Sequence, residues 1–305
     1  MSGGEKQGQG NALLARAFAV CCIGVALFSV MDGAMKGVSL SIGLYNALLW
    51  RALAGAVLGA FLMMAFRLPW PGRAALRLHL LRGVVVAGMA ALFFWALMRL
   101  PMAETIALSF IAPIFALYLA AVLLGEHIGG RAIGASLLGL AGVGVILAGR
   151  ASGDYDGQAL LGAGAALLSA MLFAWNLIIQ RRQAQIASPV EIAFFQHLVM
   201  SIVYAPFAWA WAKLPPPEMM PLVLFAAALA FTSLMAFAWA YARAEAQRLI
   251  PVEYTAFIWA AIVGAIAFGE RLTLTTLAGA VLIVAGCLLV ARARPASTET
   301  EPGLA

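Results

Sequence analysis

Long apolar runs alternate with short polar connections along almost the whole chain. A helix needs roughly 20 apolar residues to cross about 30 Å of hydrocarbon, and dividing the chain at its charges, prolines and glycines gives runs of about that length. The candidate helices lie at 12–37, 42–66, 79–98, 103–125, 131–149, 158–182, 189–212, 221–243, 249–269 and 274–292. The pattern therefore predicts an all-α integral membrane protein with ten transmembrane helices.

Composition agrees with this prediction. Of the 305 residues, 64% are hydrophobic and 10% are charged, with a mean hydropathy of +0.98. Soluble domains are about half apolar and a quarter charged, so most of this exterior must contact membrane lipid. The net charge of +6 comes from scattered positive residues, without the basic stripe of a nucleic-acid-binding protein. The sequence shows no cofactor motif or metal-ligand spacing. A monomer would in principle be sufficient for function.

The distribution of Lys and Arg predicts the orientation in the membrane. With a cytoplasmic N-terminus, Arg51 lies within a helix and five of the 19 Lys and Arg residues fall on the outer side. Those five are Lys36, Arg99, Arg150, Lys213 and Arg271. The remaining thirteen lie inside, so we expect a multi-pass protein of the cell inner membrane with both termini cytoplasmic. The polar ends, 1–11 and 293–305, are predicted to be disordered tails.

The chain contains an internal duplication. The septets FFWALMR (93–99) and FAWAYAR (237–243) share four identical residues at an offset of 144 positions. At the same offset, the stretches 123–148 and 267–292 share further residues, including a Gly–Glu pair in each. We therefore predict two five-helix repeats, at 12–150 and 151–292. Because five is odd, the second repeat would enter the membrane inverted.

Inverted repeats are typical of carriers, because two copies in opposite orientations can exchange conformations around a central site. This favours alternating access for a small-molecule substrate. Under the alternative interpretation, duplication is only an economical way to build a helical bundle, and the protein is a channel or a membrane scaffold. An intramembrane enzyme is disfavoured, because the sequence contains no HExxH or GxSxG motif.

Several motifs resemble those of a known family. One stretch begins MAETIALSFIAP and continues through LLGE into a glycine-rich helix, and the second half repeats this signature with AFGE. The first helix carries LFSVMDGAMKG. These residues are similar to the ten-helix EamA-type carriers of the drug/metabolite transporter superfamily. The resemblance extends over nearly all of residues 12–292. It implies an exporter of small metabolites in the cytoplasmic membrane and leans toward the amino-acid exporter branch, including exporters of aromatic amino acids.

Three charged residues at membrane depth are the first site candidates. Asp32 and Lys36 are spaced as a favourable i, i+4 helical pair. They form either a structural ion pair near the outer interface or part of a hydrated cavity, where Lys36 would contact a substrate carboxylate and Asp32 would bind an amine or a proton. Arg51 lies deeper, where a guanidinium needs partners to replace its lost water. It pairs either with Asp32 or with the substrate carboxylate.

The second repeat offers further candidates at related depths. Asn176, Gln196 and His197 are predicted to contact substrate, and His197 could also carry a proton because its intrinsic pKa is about 6.5. A lone buried histidine is more often a hydrogen-bonded packing residue, which is the alternative interpretation of His197. Glu253 is the second candidate, after Asp32, for proton coupling.

Aromatic and small residues complete the set of predictions. Trp175 and Trp259 could stack on a substrate, although tryptophan also gathers at membrane interfaces and helix contacts. Glu126 and Glu270 are interpreted as caps of helix turns. Small-residue motifs favour close helix contact, which we expect for the pair Gly55 and Gly59 and for the glycines at 134, 139, 142 and 144.

Overall fold

The computed structural model describes residues 3–112, 114–115, 118–119, 130–151, 157–243, 249 and 252–291. Regular structure in these ranges is helical, and they contain no β-strand. The α-helices are α1 (Gly3–Ile42), α2 (Leu44–Ala65), α3 (Arg73–Leu97), α4 (Met102–Ser109), α5 (Gly130–Ala151), α6 (Gly157–Gln183), α7 (Pro189–Tyr204), α8 (Ala208–Trp211), α9 (Met220–Tyr241), α10 (Ala256–Phe268) and α11 (Leu274–Ala291). A 3-10 turn, Ala205–Phe207, joins α7 to α8.

Within the described ranges, six stretches are long and apolar enough to cross a membrane. They are Ala15–Ile42, Leu44–Ala65, Arg73–Leu97, Gly157–Gln180, Pro189–Trp211 and Met220–Tyr241. Shorter apolar helices lie at Ser136–Gly149, Ala256–Phe268 and Leu274–Gly286. The prediction of a helical membrane protein is thus confirmed. The fourth predicted span, 103–125, lies partly outside the described residues, and the total of ten stays a prediction.

The structure describes most of the first predicted tail and none of the second. Helix α1 begins at Gly3, so residues 3–11, predicted as part of a disordered tail, are helical here. Once an apolar helix has formed, each residue added to its end gains a hydrogen bond without a new nucleation cost. The predicted tail at 293–305 lies outside the described residues, as does Glu126.

Extensive contacts between helices join the first half of the chain to the second. Helix α1 packs on α9, α3 on α6, α2 on α7, and α5 on α11. By the sequence repeat, α1 corresponds to α6 and α3 corresponds to α9. Exchanging the halves therefore converts the α1–α9 pair into the α3–α6 pair. The α2–α7 and α5–α11 pairs are each converted into themselves. Two interleaved copies related by approximate two-fold symmetry pack in this way.

The repeated septet produces the same local contact in both halves. At the end of α3 the Arg99 guanidinium lies 3.5 Å from the centre of the Trp95 ring and donates to the Trp95 carbonyl at 3.0 Å. At the end of α9, Arg243 lies 4.2 Å from the Trp239 ring and donates to the Trp239 carbonyl at 3.2 Å. The i, i+4 spacing places each arginine over the preceding ring, a favourable cation–π geometry.

Glycines permit the closest helix approaches. A Cβ atom at Gly142 on α5 would lie 2.6 Å from the Gly279 carbonyl on α11, and one at Gly279 would lie 2.6 Å from the Gly142 carbonyl. Between α2 and α7, a Cβ at Gly59 would meet the Phe194 backbone at 2.9 Å. Gly144, by contrast, has no described atom within 4 Å of its Cβ position. The prediction of tight glycine packing is therefore confirmed for Gly142 and Gly59, whereas no described neighbour supports it at Gly134 or Gly144.

Candidate functional site

Four buried polar side chains form what we call the polar cluster: Asp32 on α1, Arg51 on α2, and Gln196 and His197 on α7. Each is at most 9% exposed. In the part of the chain that the structure describes, Asp32 Oδ1, Arg51 Nε, Gln196 Oε1 and His197 Nε2 have no hydrogen-bond partner. Arg51 lies near enough to Asp32 and His197 to interact electrostatically with both, and Gln196 precedes His197 on α7.

Packing fixes the orientation of the His197 ring. Nδ1 lies 2.9 Å from the Ala193 carbonyl one turn earlier, and because a carbonyl only accepts, Nδ1 carries the proton. In the neutral ring, Nε2 is then an unoccupied acceptor. The ring packs against Gly55, where a Cβ atom would collide with it, and lies 5.8 Å from the Phe231 ring. The sequence places a glycine where α2 must make room for the imidazole.

Aromatic packing also holds Arg51. The centre of its guanidinium lies 5.8 Å from that of the Phe94 ring on α3, within the range of a cation–π contact. Arg51 begins roughly 10 Å along α2 from its first residue, at 1.5 Å per residue, so the charge sits well inside the bundle. The ring gives the charge partial compensation while leaving Nε available.

The polar cluster presents three acceptors and one donor. A buried donor or acceptor without a partner costs about 1–3 kcal/mol, so several together in one region mark a place where a ligand or water would supply the partners. A cationic donor suits a carboxylate, and the Asp32 oxygen with the Gln196 and His197 acceptors suits an ammonium group. The cluster is therefore complementary to a small molecule that carries both groups.

Lys36 has other partners in this structure. Its Nζ donates to the Leu100 carbonyl at 2.8 Å and forms an ion pair with Glu270. The other Glu270 oxygen accepts the Met102 backbone N–H at 2.7 Å. The interpretation of Glu270 as a helix cap is thus confirmed at the start of α4, whereas its pairing with Lys36 was not predicted. The substrate contact of Lys36 stays a prediction.

Asn176 belongs to a second buried group, the His79 network, which joins α3, α6 and α7. Arg82 donates to Asn176 at 2.9 Å and to Gln183 at 2.7 Å. The Gln183 amide lies 2.6 Å from His79 Nδ1 and donates to it, which leaves His79 Nε2 to donate to Glu191 at 2.9 Å. Asn176 therefore has a structural partner, and its substrate role stays a prediction.

Sequence reasoning missed most of the His79 network. Arg82 is one of the thirteen Lys and Arg residues that the charge distribution places on the cytoplasmic side, and the structure buries it to 2% exposure. Its position only nine residues into α3 gave no sign of this depth. The useful signal was the glutamine and asparagine spacing on α6, where Asn176, Gln180 and Gln183 share one face at i, i+4 and i+7.

The remaining candidates lie apart from these groups or have partners of their own. Trp175 is 43% exposed and follows Leu168 and Met171 along an exposed apolar stripe of α6, and Trp259 is 38% exposed. Such stripes favour lipid contact, and the substrate roles of both tryptophans stay predictions. Glu253 accepts a hydrogen bond from the Tyr241 hydroxyl, and its part in proton coupling also stays a prediction. Within the described ranges, no three His, Cys, Asp or Glu side chains are grouped to hold a metal ion.

These features define a polytopic helical membrane protein with a buried polar site between its helices. The model of the EamA-like transporter family matches residues 15–148 and 160–292. The chain therefore belongs to the EamA-like transporter family, within the drug/metabolite transporter superfamily that its motifs resemble. This membership points to a transporter rather than an enzyme.

Individual relatives agree with this assignment. The chain is 25% identical over 268 residues to the pseudopaline exporter CntI in two strains of Pseudomonas aeruginosa, covering 88% of this chain and 93% of each relative. It also superposes on a protein of known crystal structure with a TM-score of 0.58 and 21% identity. That match covers 90% of this chain and 96% of the other, and it shows the fold. The family and the exporter relatives together support a membrane exporter.

Proposed function

We propose that the protein is a secondary transporter that exports amino acids, aromatic ones among them, or similar small metabolites by alternating access. The observation that carries this proposal is the polar cluster, in which buried atoms of Asp32, Arg51 and two α7 side chains lack partners. An α-amino acid offers the carboxylate and ammonium groups that would satisfy them. The relatives named as pseudopaline exporters support the export of a small metabolite and make pseudopaline a second substrate to test.

Each member of the polar cluster has a role in this proposal. Arg51 binds the substrate carboxylate, because a guanidinium donates to a carboxylate through two N–H groups. Asp32 accepts from the ammonium group, and Gln196 and His197 accept its remaining N–H bonds or those of the side chain. Lys36 is left out of this set because Glu270 and the Leu100 carbonyl already engage its ammonium.

Ten helices in two inverted repeats form the architecture of this proposal, with repeats at 12–150 and 151–292. The exchange-symmetric packing of α1 on α9 and of α3 on α6 supports it. The bias of Lys and Arg supports a cytoplasmic position for both termini. The end of the bundle that holds Lys36 and Glu270 then faces outward, and the end that holds His79 and Glu191 faces the cytoplasm.

Export is driven either by protons, bound at Asp32 or Glu253, or by the substrate's own gradient. If Asp32 carries the coupled proton, Asp32→Asn changes the pH dependence of transport. A transport rate in this variant that follows the wild-type profile from about pH 5 to 8 would assign coupling elsewhere, and the same comparison with Glu253→Gln would then decide between the remaining choices.

The decisive experiment is counterflow in proteoliposomes loaded with unlabelled amino acid and supplied with labelled amino acid outside. A carrier shows accelerated uptake, a channel shows none, and an enzyme yields a new compound. A panel of aromatic and aliphatic amino acids, dipeptides and pseudopaline identifies the substrate class. Arg51→Gln should raise KM roughly 10- to 100-fold, the equivalent of one charged hydrogen bond.

Arg243→Gln is the matched control, because it removes a cation that contacts Trp239 near the end of α9, away from the polar cluster. Its KM should stay close to that of the wild type. Equal effects of the two substitutions, or counterflow by none of the panel, would contradict the proposal.

A further inference from the structure

The turn after α10 directs Glu270 back over the end of its own helix. Gly269 has a φ of 64° in the left-handed region, and the Glu270 N–H bonds back to the Gly264 carbonyl at 3.1 Å. A glycine accepts this conformation without the penalty of a Cβ atom. Gly264 is also required for space, because a Cβ there would collide with the Glu270 carboxylate. Both glycines therefore serve to position one carboxylate.

Three helices meet at that carboxylate. Lys36 reaches it from α1, and the Met102 N–H reaches it from the first turn of α4, while Glu270 itself follows α10. Lys36 also holds the Leu100 carbonyl at the end of the α3–α4 connection. One turn before Lys36, α1 lies close to α4 and α10, since a Cβ at Gly33 would collide with Val263 and lie 3.6 Å from Met102.

The position of the ion pair relative to the polar cluster suggests its role. Asp32 lies one helical turn before Lys36 on α1, so the pair closes the bundle at the end nearest the cluster. The Lys36 and Glu270 side chains are 7% and 16% exposed. An exposed pair contributes little to stability, and a fully buried pair is costly to separate. Partial exposure lets water replace the partners when the helices separate.

We propose that Lys36 and Glu270 form the outer gate of the transporter, holding α1, α4 and α10 together in the outward-closed state. In this role they are positioning residues that set the balance between conformations. This inference rests on the alternating access of the proposed function. It predicts that loss of either charge shifts the population toward the outward-open state, as differential stabilisation of one state requires.

The test measures whether a buried site below the gate becomes accessible from outside. In a variant with Cys21, Cys22 and Cys287 replaced by serine, Ser29→Cys provides the reporter, because Ser29 is 2% exposed and lies two turns before Lys36 on α1. A membrane-impermeant maleimide is added to intact cells and its rate of reaction is followed. Ser41→Cys, on the exposed end of α1, reports reagent access alone and should react equally in every background.

Lys36→Met should raise the reaction rate at the reporter by at least about fivefold, the lower end of conformational coupling between sites. Lys36→Arg keeps the charge and should stay near the wild-type rate. Arg99→Met is the matched control, since it removes a cation in the α3–α4 connection that packs on Trp95 and takes no part in the ion pair. Its reporter rate should not change.

A rise of the same size in Arg99→Met, or none in Lys36→Met, would overturn the gate. Glu270→Gln supplies a second variant if Lys36→Met does not fold, and an unchanged reporter rate in Glu270→Gln would overturn the gate equally. Counterflow is measured on the same variants. If the reporter rate responds but the protein transports none of the substrates, the gate is supported and the proposed transport function is contradicted. If transport is normal but the reporter rate does not change, only the gate is contradicted.

Discussion

Asp32 is the residue whose surroundings bear most directly on the substrate. A carboxylate at membrane depth costs several kcal/mol unless it is paired or hydrated, yet Asp32 Oδ1 has no hydrogen-bond partner in the described part of the chain. Arg51 offsets the charge through space without occupying that oxygen. Among the described residues, that oxygen is therefore left open to a partner such as a substrate.

Asp32→Asn should separate substrates by their amino group. The amide cannot neutralise an ammonium group, so we expect the KM of an amino acid to rise roughly 10- to 100-fold, as for one charged hydrogen bond. The matching 2-hydroxy acid, which lacks the ammonium group, should be affected far less. Competition counterflow with both compounds measures the ratio, and equal losses for the two would show that Asp32 does not read the amine.

Arg82 allows a prediction about protein stability rather than substrate binding. Arg82→Met leaves the side-chain oxygens of Asn176 and Gln183 without their donors, at about 1–3 kcal/mol for each buried acceptor. We expect a clear fall in the melting temperature of the purified protein in detergent. Arg77→Met, an exposed position on the same helix, should melt close to the wild type. Equal melting temperatures for the two variants would contradict a structural role for Arg82.

At the scale of helices, close approach depends on a few glycines rather than on all of them. Helix α5 shows this within one turn, since Gly142 faces the α11 backbone and Gly144 faces no neighbour among the described residues. A small-residue stripe in the sequence indicates that a helix can approach a neighbour. It does not indicate which of its residues form the contact, because that depends on the rotation of the helix.

The two glycines provide a matched pair of substitutions. Gly142→Ala places a methyl group against the Gly279 carbonyl and should destabilise the α5–α11 contact by about 1–3 kcal/mol, as overpacking does. Gly144→Ala meets no neighbour in the described part of the chain. It should be neutral or slightly stabilising, because alanine favours the helix by roughly 1 kcal/mol over glycine. Thermal unfolding of both variants in one detergent compares them, and a loss confined to Gly144→Ala would show that the helix is rotated otherwise.

At the scale of the whole molecule, two repeats of five spans give an even total, which requires the two chain ends to share a side of the membrane. We therefore expect an epitope tag at either end to stay inaccessible to antibody in intact cells and to become accessible after permeabilisation. Ser41→Cys should react from outside without permeabilisation. Accessibility of only one terminal tag in intact cells would contradict the inverted arrangement.

Much of this architecture could be predicted from the sequence, because the length of an apolar stretch and the spacing of its residues do not depend on how the helices pack. The six membrane-length helices lie close to their predicted positions, and the repeated septet forms the same arginine–tryptophan contact twice. Side-chain partners were harder to predict. Spacing on one helix joined Lys36 to Asp32, whereas the structure joins Lys36 to Glu270, 234 residues away. Local spacing carries no information on partners brought together by the packing of distant helices.

The sharing of one carboxylate between Lys36 and the Met102 N–H has a consequence for the kinetics of opening. The first turn of a helix has backbone N–H groups without intrahelical partners, so Glu270 cannot leave without breaking its ion pair and uncapping α4 in the same event. We expect no half-open intermediate at this end. Single-molecule recordings of the distance across it should show abrupt jumps between two levels.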